Sequence, residues 1–268
     1  AFSRPHQPSR GIDVDRALPL LALAAFASAA SVRICDPLLP LLSREFSASL
    51  AEASATATGF AVAYGCCLLF FGPLGDRVGK LRVISRTAAI AAVLTLACAA
   101  APSLGLLTLA RIAAGCFAGA AIPLSLAWLA DQVPVEERQP TLARLMVGQM
   151  IGLSLGQAAS GAIADAFGWR VAFVLLSLVF LAAALALRSA ARRDAWLHRR
   201  WQRQRRSRER ASLPRQARHL LARPWSRLIL LAAAVHGLVI FSAMALVATA
   251  AQTDRGLTPT LAGLSVAL

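Results

Sequence analysis

Acid is what this chain has least of. Its 268 residues include 13 Asp and Glu against 28 Lys and Arg, and charged residues of both signs make up only 15% of the total. Aromatic residues are also few at 6%, with a single tyrosine. Soluble globular domains carry about 25% charged residues, so a surface wetted all round is excluded. The five cysteines, Cys35, Cys66, Cys67, Cys98 and Cys116, show no CxxC or Cys/His metal spacing. They read as small apolar filler, and no metal or cofactor is expected. A GxSxG nucleophile elbow is missing as well. Lys80 follows a glycine, but a phosphate-binding loop needs a glycine five residues before that pair and Ser or Thr after it. Leu74 and Leu81 stand there. An enzyme reading therefore has no catalytic constellation to rest on.

What is abundant is apolar: 57% of residues, with a mean hydropathy of +0.62. A bilayer core about 30 Å thick takes about 20 apolar residues per helix. Seven spans are expected, at Ala17 to Leu39, Ser54 to Leu74, Thr87 to Ala101, Leu104 to Leu129, Leu142 to Ile163, Trp169 to Leu187 and Leu228 to Ala251. An eighth opens near Pro259 and meets the end of the sequence at Leu268. A span cut short could not satisfy its backbone across the hydrocarbon, so a truncated chain is expected. Ala17 to Ala30, preceded by Arg4, Arg10 and Arg16, also has the form of a signal-peptide core. The spans that follow favour a retained first helix. The predicted fold is an all-α, polytopic membrane bundle.

Orientation follows from the bases, because cytoplasmic loops keep Lys and Arg. The amino-terminal arm holds three, the loop after span two four (Arg77, Lys80, Arg82, Arg86), the loop after span four two (Arg138, Arg144), and the segment from Arg188 to Arg227 fourteen. Together these are 23 of the 28, which places the amino terminus in the cytoplasm of a multi-pass cell-membrane protein. Arg192 to Arg210 mixes arginine with Trp196 and Trp201, as a nucleic-acid arm could. Its place between two spans favours a linker lying on anionic lipid, with no nucleic-acid partner. The organisation read from this is an arm at 1–16, a six-helix bundle at 17–187, a cytoplasmic linker at 188–227 and the start of a second bundle at 228–268.

GPLGDRVGKLR, from Gly72 to Arg82, resembles the loop between helices two and three of the major facilitator superfamily. Gly72, Asp76, Arg77, Gly79, Lys80 and Arg82 match that motif, and Leu81 stands where a second base is common. The loop also has the span number and the side that the family pattern requires. RIAAGCFAGAA, with Arg111, Gly115 and Gly119, resembles the family's helix-four motif. Gly152, Gly156, Ser160 and Gly161, above Gly148, are similar to the antiporter motif of drug-efflux members, with Gln157 in place of its usual proline. DPLLP at Asp36 to Pro40 and PVEERQPTLA at Pro134 to Ala143 look like sugar- and drug-efflux members.

The resemblance implies a secondary transporter of a small-molecule substrate that works by alternating access and exports in exchange for protons, at the inner membrane and as a monomer when full length. It further implies that the loop motif is a conformational latch between helices, with Gly72 allowing close helix approach, Gly79 a tight turn and Asp76 a contact at a helix start or with a base. It makes Asp36 the proton carrier and Arg111 its coupling partner. The residues offer their own argument for the same place. A charge at mid-span costs about 2.5–3.5 kcal/mol and faces a cavity or a partner, and Arg33 and Asp36, three apart, share a helix face at the depth expected for Arg111. A static ion pair at the membrane boundary is the alternative. The stripe Gly148, Gly152, Gly156, Ser160 fits plain helix packing as well as antiport. Gln149, Gln157 and His236 are polar groups within spans that could line a cavity for an amphipathic solute. Two other functions stay open: an uptake symporter or uniporter of the same fold, and a non-transporting anchor or sensor that presents the arginine-rich segment.

Overall fold

The computed structural model describes residues 14–204 and scattered positions between 222 and 261. His236, and most of the expected seventh and eighth spans, lie outside the described residues. All regular structure in the described part is helical. The helices are α1 (Val14–Arg33), α2 (Leu39–Glu45), α3 (Leu50–Val78), α4 (Lys80–Ala99), α5 (Leu104–Ala118), α6 (Ala121–Gln132), α7 (Val135–Phe167) and α8 (Trp169–Gln204).

Prolines explain where these helices break. A proline removes the bond to the carbonyl four residues back and clashes with it. Pro37 points back to Arg33, where α1 ends and a 3-10 turn, Asp36–Leu38, begins. Pro123 points back to Gly119, where the expected fourth span is divided into α5 and α6. Pro73 points back to Leu69, and α3 bends by 50° between Leu68 and Phe70. The first span is thus Val14–Glu45 and the fourth Leu104–Gln132, each interrupted inside the bundle.

By length and composition, four helical stretches among the described residues could cross a membrane, or five with the bent α3. The fifth expected span is present as α7 and is long enough at 33 residues, but it is not among them. Gln149, Gln157 and its glycines and serines make it less apolar than its neighbours. The helix that carries the sixth expected span, α8, continues past Leu187 to Gln204 through the first part of the arginine-rich segment.

The bundle is built from three long helix pairs: α1 with α7, α3 with α5, and α4 with α8. Small residues set the first two. A Cβ placed on Gly148, Gly152 or Gly156 would meet Ala22, the Phe26 carbonyl at 2.5 Å, or the Ala30 Cα at 2.5 Å. On α5, Gly115 and Gly119 lie against the backbone of Phe60 and Tyr64 in the same manner. The third pair is joined by hydroxyls: Ser85 donates to the Ala184 carbonyl at 2.9 Å and Ser177 to the Ala92 carbonyl at 2.7 Å. In a membrane, where burying an apolar face gains little, such contacts hold helices together.

Candidate functional site

The buried charged side chains among the described residues are Arg33, Asp36 and Arg111, and all three gather at the break in the first span. Arg33 closes α1, and its Nη1 donates to Asp36 Oδ2 at 2.9 Å, with both side chains about 5% exposed. Within the first span, Val14–Glu45, the pair is followed by the seven residues of α2. Arg111 is fully buried in the middle of α5. Its Nη2 donates to the Ser31 carbonyl at 3.0 Å and its Nη1 to Ser31 Oγ at 3.4 Å. The guanidinium lies 3.9 Å from the centre of the Phe60 ring and 5.9 Å from that of Phe173. Such stacking on a desolvated ring is worth about 2 kcal/mol.

Arg111 therefore lies against the end of α1 that carries Arg33. Its hydrogen bonds, however, run to Ser31, two residues before Arg33, while Arg33 makes the direct ion pair. Arg111 Nε is a buried donor with no partner. Cys35, fully buried, stands between Asp36 and the break and interacts with Arg111. Sequence reasoning did not reach Ser31, Phe60 or Cys35. Their positions are fixed by the proline break and by the Gly115–Phe60 contact, neither of which has a local signature. One helical turn away, Ser28 Oγ donates to the Ala118 carbonyl at 2.8 Å and lies 3.1 Å from the Tyr64 hydroxyl. That serves a carbonyl at the end of α5 that the break would leave bare.

The motif Gly72 to Arg82 is not an extended loop. Helix α3 runs through it to Val78 and α4 begins at Lys80, so Gly79 alone makes the turn. Its φ of 105° and ψ of 126° lie where a side chain is strained. A Cβ on Gly72 would meet nothing within 4 Å, and the close approach falls instead at Gly75, where it would meet Leu124 at 2.7 Å. Asp76 lies in the last turn of α3 rather than at a helix start, and pairs with Lys80 at 3.5 Å. Lys80 also pairs with Asp131 at the end of α6, which joins the α3–α4 turn to the broken fourth span. Arg77 and Arg82 are in the same turn region.

Of the polar groups expected in spans, Gln157 is 3% exposed and its Nε2 has no partner, and Gln149 Oε1 is likewise unpartnered and buried. Both lie on α7, Gln157 directly beside Gly156, which packs on Ala30. Ser160 and Gly161 are buried within one turn of Gln157.

This arrangement of a broken first helix, a mid-span arginine and a one-glycine turn between α3 and α4 can be set beside known proteins. A family model for the Major Facilitator Superfamily matches residues 21–268. The chain belongs to the major facilitator superfamily. Among curated members, it is 30% identical over 171 residues to the uncharacterized transporter YgaY of Escherichia coli O157:H7, which covers 63% of this chain and 42% of YgaY. It is 30% identical over 155 residues to the "probable multidrug resistance protein" EmrY of Escherichia coli K12, covering 58% of this chain and 30% of EmrY. A solved structure of a bacterial homologue of the human lysosomal transporter Spinster matches with a TM-score of 0.71 at 19% identity, over 98% of this chain and 58% of that one. The chain spans less than half the length of these curated facilitator relatives.

Proposed function

We propose that this facilitator is a secondary active transporter of small solutes, working by alternating access and coupled to protons in the export direction. The observation that carries the reading is the Arg33–Asp36 ion pair, buried beside Arg111 at a break in an otherwise apolar helix. Removing one partner of a buried pair leaves an uncompensated charge and costs about 3–5 kcal/mol. Protonating Asp36 when it parts from Arg33 avoids that cost, so separation of the pair and proton uptake favour each other. Arg111 is tied to the Ser31 carbonyl on the same helix end, and any shift of the break is felt by both charges. On this reading the amino terminus is cytoplasmic, the Gly79 turn with Lys80 and Asp131 is a latch on that side, and the bases from Arg188 to Arg227 rest against anionic lipid. The name of the EmrY relative, "probable multidrug resistance protein", agrees with export.

The test uses the full-length protein in everted vesicles, with a panel of amphipathic dyes and sugars and with or without a proton gradient. Asp36→Asn is expected to abolish gradient-driven movement while leaving exchange down a solute gradient measurable. Gradient coupling equal to that of wild type would remove Asp36 from the mechanism.

A further inference from the structure

Resting on the alternating-access reading, we infer that Asp165 is a gate residue, a latch between the two halves of the protein at the end of the bundle opposite the Gly79 turn. Asp165 is exposed on the last turn of α7. Its Oδ2 accepts a hydrogen bond from the Thr260 backbone N–H at 2.9 Å and a second from the Thr260 hydroxyl. Thr260 and Leu261 are helical, and Thr258 Oγ1 accepts from the Leu261 N–H at 3.4 Å, as a capping threonine does. Thr-Pro-Thr-Leu is itself a helix-start sequence. Backbone N–H groups there have no partner within their own helix, and a carboxylate is favoured at that positive end. Asp165 supplies the missing acceptor from a helix about 95 residues away in sequence.

The turn that carries Asp165 is held firmly to its own half. Gly168, with φ 87°, ends α7 three residues later. Trp169 Nε1 and Arg170 Nη1 then donate to the two carboxylate oxygens of Glu45 at the end of α2, and Arg170 Nη2 reaches the Ala101 carbonyl at 3.4 Å. The Trp169 ring meets Phe46 and Phe173 edge-on, at 6.0 and 5.8 Å. These contacts join α2, the α4–α5 connection and α8 into one rim. The rim is fastened by ion pair, indole and aromatic packing, whereas Asp165 and Thr260 meet through one exposed carboxylate. If the two halves rock, the exposed contact is the one that parts. An exposed charge-assisted contact of this kind biases an equilibrium by about three- to tenfold, enough to hold that end closed at rest and weak enough to release in each cycle.

The experiment places cysteines at both positions (Asp165→Cys with Thr260→Cys) in the full-length protein. Copper–phenanthroline is expected to cross-link them, stopping transport of whichever panel dye wild type moves, with recovery on reduction. No cross-link, or full transport while cross-linked, would overturn the gate. If wild type moves nothing, it is the transport reading that fails, and spin labels at Phe167 and Leu261 then decide the latch alone. Asp165→Asn should raise the separated population about three- to tenfold, and an unchanged distance distribution would overturn the latch.

Discussion

Replacing Gly156 by alanine tests whether the α1–α7 seam is set by backbone contact. The added Cβ would lie 2.5 Å from the Ala30 Cα, 2.7 Å from its carbonyl oxygen and 3.0 Å from its carbonyl carbon. All three are backbone atoms, so no side-chain tip can swing away, and the helices must part by roughly 1 Å to reach ordinary contact distances of about 3.5 Å. Overpacking of this kind costs about 1–3 kcal/mol. Against it stands the gain of alanine over glycine within a helix, about 0.5–1 kcal/mol. Because the obstacle is rigid, the cost belongs in the upper part of its range, and a net loss of about 1–2 kcal/mol is expected. At about 2–4 °C per kcal/mol, the melting temperature of the purified protein in detergent should fall by about 2–8 °C. Gly105→Ala is the matched control, since its Cβ would meet nothing within 4 Å, and its melting temperature should hold or rise. Gly152→Ala should resemble Gly156→Ala, and the double variant should lose less than the two losses added, because one opening of the seam relieves both clashes. If Gly156→Ala melts with wild type while Gly105→Ala falls, close backbone packing is not what holds α1 to α7.

Gly79→Ala forces a side chain onto a φ of 105° and should destabilise by about 1–3 kcal/mol, read as a melting shift that Gly72→Ala, at an open position, does not share. Arg111→Lys keeps the charge but loses the planar group that stacks on Phe60 while bonding the Ser31 carbonyl. Transport in everted vesicles should fall at least tenfold, and near-wild-type rates for lysine would show that charge alone suffices there.

The helical class, the apolar spans and the identity of the turn motif were legible in the sequence because each is a local or periodic signal. Long apolar runs mark α1, α4, α5 and α8, and Gly79 is readable because its turn needs a backbone that only glycine adopts without strain. Partnerships across helices were not legible. Nothing near Lys80 names Asp131, 51 residues on, and nothing near Arg111 names the Ser31 carbonyl, because a carbonyl becomes an acceptor only where its helix breaks. The break at Arg33 is written in Pro37, four residues later, but the apolar residues on either side read as one span continuing to Leu39. Gly72 misled for a related reason: a glycine in a motif says that space is needed near it, and only the packing of Leu124 shows that the space is used at Gly75.

The same contacts limit how this half can move. Glycine seams fix α1 to α7 and α3 to α5 by backbone touching backbone, and two hydroxyl bonds fix α4 to α8. Sliding any of these pairs by a fraction of a turn would drive a carbonyl into a Cα or break a bond that the lipid cannot replace. The softer places are the proline breaks, where the ladder is already interrupted. Of the three, the break between α1 and α2 holds the buried charges, so a small change there alters the Arg33–Asp36 distance and is carried through Ser31 to Arg111, whose guanidinium is stacked on Phe60. Under the proposed mechanism the helix pairs therefore move as a rigid body, and the proton-linked adjustment is confined to the few residues from Ser31 to Leu38.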